Sequence, residues 1–164
     1  MPARANPSSS NPPSTPARQL AGFLARFDPP VSKTMRAARA ALQKQFPAAY
    51  QLVYDNYNFL VVGFCTTERP SDCFVSLAAN AKGVDLMFYY GATLPDPQGL
   101  LHGSGNQNRF LRLETESTLA QPDVQSLIQS AVRQSKSPLA STGRGRLIIR
   151  AISAKQRPRR QPRP

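Results

Sequence analysis

Five consecutive residues, Tyr54-Asp55-Asn56-Tyr57-Asn58, bring two phenols, two amides and a carboxylate together between apolar runs. Aromatic walls with a few fixed polar groups are the makings of a small-molecule pocket. The same residues are also ordinary hairpin material, in which Asx side chains bond the local backbone. A second cluster, His102-Gly103-Ser104-Gly105, runs on to Arg109. Glycines at alternate positions let backbone N–H groups converge on an anion, and Arg109 and Arg112 bring charge. A Gly-Ser-Gly run also simply bends a chain, and the Gly-Lys-Ser/Thr ending of a P-loop is missing. If the two clusters face each other across one end of a sheet, Tyr54, Asp55, Asn56 and Tyr57 shape a pocket. His102, Gly103, Ser104, Gly105 and Arg109 then hold the negative charge of a small ligand.

Catalytic and metal chemistry find less material. His102 is the sole histidine, and no G-x-S-x-G elbow accompanies it, so a hydrolase triad is not expected. Cys65 and Cys73 have no second Cys/His pair with which to complete a tetrahedral metal site. They read as neighbouring strand residues packed as small hydrophobes. The acids are scattered, with no acidic face for hard cations. No catalytic residue, metal or cofactor is assigned, and the chain is read as non-enzymatic.

The net charge of +12 is unevenly spread. Residues 1–27 carry +3, residues 28–123 carry −1 and residues 124–164 carry +10. The positive charge therefore belongs to the ends, above all to Lys155, Arg157, Arg159, Arg160 and Arg163 in the Arg/Pro-rich close. These could neutralise phosphates and bind nucleic acid non-specifically, although no interleaved aromatics offer stacking; a flexible solubilising end is the other reading. Two cysteines, no apolar leader and no run of about 18 apolar residues point to the cytoplasm, with no membrane partner.

The elements that must position these residues follow from periodicity. Residues 1–19 are rich in Pro and Ser and cannot repay the entropy of ordering, so they are expected to be a disordered arm. Leu20, Phe23, Leu24 and Phe27 predict a short helix stopped by Asp28-Pro29-Pro30. Met35, Ala38, Leu42 and Phe46 form the buried stripe of a second, with Lys33 and Arg36 facing water. Tyr50–Tyr54, Phe59–Cys65, Cys73–Ala79, Val84–Tyr90 and Arg109–Leu113 alternate as strands joined by turns. The Gly/Pro-rich stretch between Gly91 and Asn108 is long enough to be a functional or Ω-type loop. Val124, Leu127, Ile128, Ala131 and Val132 predict the last helix behind Pro122. Arg146–Ile152 completes the set as an edge strand. The expected fold is α+β, an antiparallel sheet of about five to six strands packed with N-terminal and C-terminal helices. It occupies residues 20–152, and residues 153–164 are expected to be a disordered tail.

Tyr54–Asn58, Thr67-Glu68-Arg69-Pro70-Ser71, Leu94-Pro95-Asp96-Pro97 and Leu100-Leu101-His102-Gly103-Ser104-Gly105 occur in an order that resembles the YdhG-like domain family of unknown function. A bacterial subgroup also closes with a stretch similar to Gly145–Arg150 and Ser153–Arg160. The resemblance implies the same α+β fold and brings no established activity. Some relatives have been likened to frataxin-type iron chaperones, which makes iron delivery an alternative; the nearly neutral core lacks the acidic surface that role uses. The leading expectation is a small-ligand or anion-binding module, and nucleic-acid association through the tail is the other alternative.

Overall fold

The Thr15 hydroxyl accepts a hydrogen bond from the Arg18 amide at 3.2 Å, and Pro16 sits in the first turn where its missing N–H is not needed. Helix α1 (Pro16–Leu24) therefore starts four residues before its apolar stripe does. The computed structural model describes residues 14–164. Of the arm expected over 1–19, residues 1–13 lie outside the described part, and 16–19 are helical instead.

Helix α2 (Pro29–Gln45) and helix α3 (Pro122–Arg133) follow the predicted stripes. The strands are β1 (Tyr50–Asp55), β2 (Leu60–Cys65), β3 (Cys73–Asn80), β4 (Gly83–Phe88), β5 (Arg109–Leu113) and β6 (Leu147–Ile152). They form one six-stranded sheet in the order β5-β4-β3-β2-β1-β6. Strands β1 to β5 pair antiparallel, as the short turns joining β1 to β4 require; a long loop joins β4 to β5. The fold is α+β as expected, but the sheet is mixed, because β6 runs parallel to β1. No hairpin leads into β6; α3 and the following linker form a crossover that leaves its direction free. A bulge between Val53 and Tyr54 leaves Arg150 without a partner on β1.

All three helices cover one face of the sheet. Leu20, Leu24, Met35, Leu42, Leu127 and Ile128 join Val53, Val62, Phe64, Leu77, Leu86 and Phe88 in one buried cluster. The opposite face carries a separate small cluster, Leu52, Cys65 and Cys73, flanked by Tyr50, Tyr54 and Ile148. Period-two alternation thus sorts the strands between a deep core and a thinly covered outer face.

The entry of β6 depends on Gly145. Its amide donates to the Pro47 carbonyl at 3.0 Å, and a Cβ at this position would collide with the Ala49 carbonyl. Gly145→Ala is expected to shift β6 off β1 and to cost about 1–3 kcal/mol in urea unfolding, the usual range for overpacking. Gly22→Ala, in open space on α1, should be neutral or slightly stabilising in the same measurement.

Candidate functional site

Asp55 ends β1 as one of the most buried polar residues in the molecule, with 1% of its surface exposed. Its Oδ1 accepts from Arg159 Nη2 at 2.9 Å, and its Oδ2 accepts from Arg26 Nη1, just beyond α1, at 3.3 Å. The Asp55 carbonyl accepts from the Ser153 amide and from Gln156 Nε2, each at 2.9 Å. The next residues do the same work. The Asn56 carbonyl takes a second bond from Arg159 Nη2 at 2.6 Å, the Tyr57 carbonyl one from the Arg157 amide at 2.9 Å. The Arg157 guanidinium lies 5.6 Å from the centre of the Tyr57 ring. Asp55–Tyr57 is therefore the receptor for the chain's own C-terminal segment.

The expectation of a disordered tail over residues 153–164 is corrected accordingly. Arg159 is 4% exposed, and its guanidinium carbon lies 5.6 Å from the Phe27 ring centre. Its Nε and Nη1 find no acceptor among the described residues. Arg160 donates from Nε to the Arg26 carbonyl at 3.1 Å and from Nη2 to the Ala25 carbonyl at 3.3 Å. The Gln161 amide donates to Asp28 Oδ2 at 2.9 Å. Charge and hydrogen bonding hold a segment that hydrophobic burial could not. Of the five cations predicted to meet nucleic acid, Arg159 is consumed in the fold, Arg157 and Arg160 are held at the surface, and Lys155 and Arg163 are exposed.

The second predicted cluster lies elsewhere. Asp55 pairs with Leu60 and Leu60 with Ala79 at one end of the sheet, whereas Arg109 pairs with Phe88 at the other. Four residues along the strands and four strand spacings separate Asp55 from Arg109, about 13 Å in one direction and about 19 Å in the other. The pocket expected between Tyr54–Tyr57 and His102–Arg109 is not formed. In the loop, Arg109 Nη1 donates to the carbonyls of Gly105 at 2.6 Å and Asn108 at 2.7 Å, so its charge is already surrounded by loop oxygens. Gly103 takes a φ of 123° beside the Asn108 carbonyl, which explains a glycine there. Exposed His102 pairs by its backbone with Phe110 and sets its ring 5.9 Å from the Phe110 ring. Ser104 is exposed. Upstream, the Asp96 carboxylate accepts from the amides of Leu100 and Leu101, both at 2.9 Å, so the Leu-Pro-Asp-Pro motif also organises its own loop.

Tyr54 points to the outer face of the sheet, away from Asp55. Burial pushes its phenol above the usual range, and the charge of Arg150 opposes that shift. Its hydroxyl has no partner among the described residues.

Docking of the tail creates two open grooves that share Arg160. One, of about 650 Å³, is bordered by Phe27, Lys33 and Arg36; the other, of about 370 Å³, by Phe59, Lys82 and Arg157. Lys33, Arg36, Lys82, Arg157 and Arg160 are all exposed, and Asp28 lies 4.0 Å from Arg160. Lys33 and Arg36 were legible as a solvated helix face and Lys82 as a turn residue. Nothing local marked them as neighbours of a tail more than seventy residues away. Among the described residues no three His, Cys, Asp or Glu side chains gather as a metal set. No helix among them is long and apolar enough to cross a membrane. Comparison with known protein families, with curated proteins and with solved structures finds no match to the chain.

Removing either member of the Asp55–Arg159 pair leaves a buried charge without its partner. Asp55→Ala and Arg159→Ala should each cost about 3–5 kcal/mol in urea unfolding, and the double variant much less than their sum. Limited trypsin digestion should then cut the single variants after Lys155 under conditions that leave the parent tail intact.

Proposed function

We propose that the chain is a non-enzymatic anion-binding module whose ligand is a phosphate backbone, held non-specifically along the basic end of the molecule. The observation that carries this reading is the fixed placement of Arg157 and Arg160 beside Lys33, Arg36 and Lys82. A tail that merely trailed from the fold would present its cations one by one. A docked tail aligns them with those of α2 and the β3–β4 turn, where they can neutralise successive phosphates together. Tyr57, 48% exposed under Arg157, adds a ring on which a base of a single strand can stack. Kinship with YdhG-like domains and a cytoplasmic site of action belong to the same proposal. The two-layer α+β arrangement and the two free cysteines support them, and neither implies an activity.

Binding to a single-stranded oligonucleotide, followed by fluorescence anisotropy across a salt series, tests the reading. Five phosphate contacts predict a slope of log affinity against log salt of about −3.5. Charge reversal at the three cations that take no part in holding the tail, Lys33→Glu, Arg36→Glu and Lys82→Glu together, should bring the slope to about −1.5 or flatter. Affinity at moderate salt should fall at least about tenfold. No binding, or binding that the triple variant leaves unchanged, would overturn the proposal.

A further inference from the structure

Cys65 ends β2 and Cys73 begins β3, and the two are register partners across the strands. Regular alternation would not put them on one face. Val75 faces the helices, so Cys73, two residues earlier, would face them too. A bulge between Phe64 and Cys65 changes this: Phe64 pairs with Val75 and Cys65 with Cys73, leaving Phe74 as the extra residue. Phe74 turns into the deep core, where its ring packs edge-on against Phe46 at 5.1 Å. Cys73 is thereby returned to the outer face beside Cys65, under Leu52, Tyr50, Tyr54 and Ile148.

The space for the sulfur is made by a missing side chain. Cys73 Sγ lies 3.1 Å from where a Cβ on Gly63 would stand. Ser76 Oγ is 3.1 Å from the same sulfur, and the Val75 carbonyl accepts from it at 3.4 Å. Both cysteines are free. Two small hydrophobes need neither the bulge nor the glycine; a pair of thiols brought face to face uses both.

We propose that Cys65 and Cys73 are an oxidisable dithiol which a hydroperoxide converts into a cross-strand disulfide. Cys73 is the attacking sulfur: it keeps 9% of its surface open against 1% for Cys65. Hydrogen bonding with Cys65 draws the Cys73 thiol down, with help from Ser76 and against the effect of burial. The same contact, and then burial, pushes Cys65 up, so Cys65 keeps its proton. In the first step the Cys73 thiolate attacks a peroxide oxygen; the S–O bond forms, the O–O bond breaks, and the leaving oxygen takes up a proton as water or alcohol. Sulfur is oxidised to sulfenic acid and the peroxide is reduced. In the second step Cys65 attacks that sulfur; the S–S bond forms, the S–O bond breaks, and the Cys65 proton leaves with the hydroxyl as water.

The test uses the full reduced chain, treated with hydrogen peroxide and analysed by intact mass and by thiol count after denaturation. Both thiols should disappear together in a monomer lighter by two hydrogen atoms. In Cys65→Ser, Cys73 should stop at the sulfenic acid and be labelled by dimedone, while Cys73→Ser should resist oxidation under the same conditions. Should either variant fail to fold, the parent measurement decides alone. Survival of both thiols in the folded parent at peroxide levels that oxidise the urea-unfolded chain overturns the proposal. So does a product that is intermolecular, or sulfinic without an S–S bond.

Discussion

The Asp55–Arg159 ion pair is made between a side chain 1% exposed and one 2% exposed, joining residues that are 104 positions apart. Two charges removed from water are costly unless each recovers its hydration through other partners. Asp55 does so through Arg26 on its second oxygen; Arg159 does so in part, through the Asn56 carbonyl and the ring of Phe27, while its Nε and Nη1 have no acceptor among the described residues. The pair therefore obliges three segments to converge: the exit of α1, the β1–β2 turn and the C-terminal tail. Each brings a bond that the other two need. Such a junction gives little net stability relative to an apolar one of the same shape, but it tolerates only one arrangement of its parts. That selectivity suits a tail with almost no apolar surface of its own.

The same junction changes what the charge distribution means. Read along the chain, a core of −1 carries a C-terminal quarter of +10, and the basic character looks separable from the fold. Once the tail lies against α1 and the β1–β2 turn, Arg157 and Arg160 belong to the folded surface and share grooves with Lys33, Arg36 and Lys82. Fixed cations spaced along a surface interact with a phosphate backbone at a smaller entropic cost than cations on a free chain, since their mutual positions are already set. The neutral core is then the platform for a basic surface rather than a neutral protein with a basic appendage.

Much of this architecture is legible in the sequence, and the parts that are not share a cause. The apolar stripe of Met35, Ala38 and Leu42, the strand alternation around Val62 and Phe64, and the stripe of Val124, Leu127 and Ile128 are local signals and give α2, β2 and α3 within a few residues. Asp55 was also visible as a polar residue at a strand end. Its partner was not, because an ion pair between distant residues leaves no periodicity, and Arg159 sits among Pro and Arg in a segment whose composition signals disorder. The parallel entry of β6 was hidden for a related reason: direction is dictated by a turn in a hairpin, but after α3 it depends on backbone contact at Gly145. The outer-face position of Cys73 turns on a single bulge, which period-two counting passes over. The loop from His102 to Arg109 misled in another way. Its glycines suggested converging N–H groups, yet the carbonyls of Gly105 and Asn108 converge on Arg109.

The composition of the tail itself supports a built contact. Three of its four arginines use the planar guanidinium in ways an ammonium cannot reproduce. Arg157 lies over the Tyr57 ring; Arg159 faces the Phe27 ring while one nitrogen bridges Asp55 and the Asn56 carbonyl; Arg160 divides its fork between the carbonyls of Ala25 and Arg26. Lys155, the lone lysine of the segment, is exposed and makes no side-chain hydrogen bond to the described residues. A stretch that served only to add charge would have no reason to divide its cations this way, since lysine and arginine carry the same unit charge. The prolines fit the same account. Pro158 restricts the backbone between Arg157 and Arg159, and a restricted chain loses less entropy on docking than a flexible one. Arginine for planar contacts and proline for stiffness together give a short polar segment a defined seat on the fold.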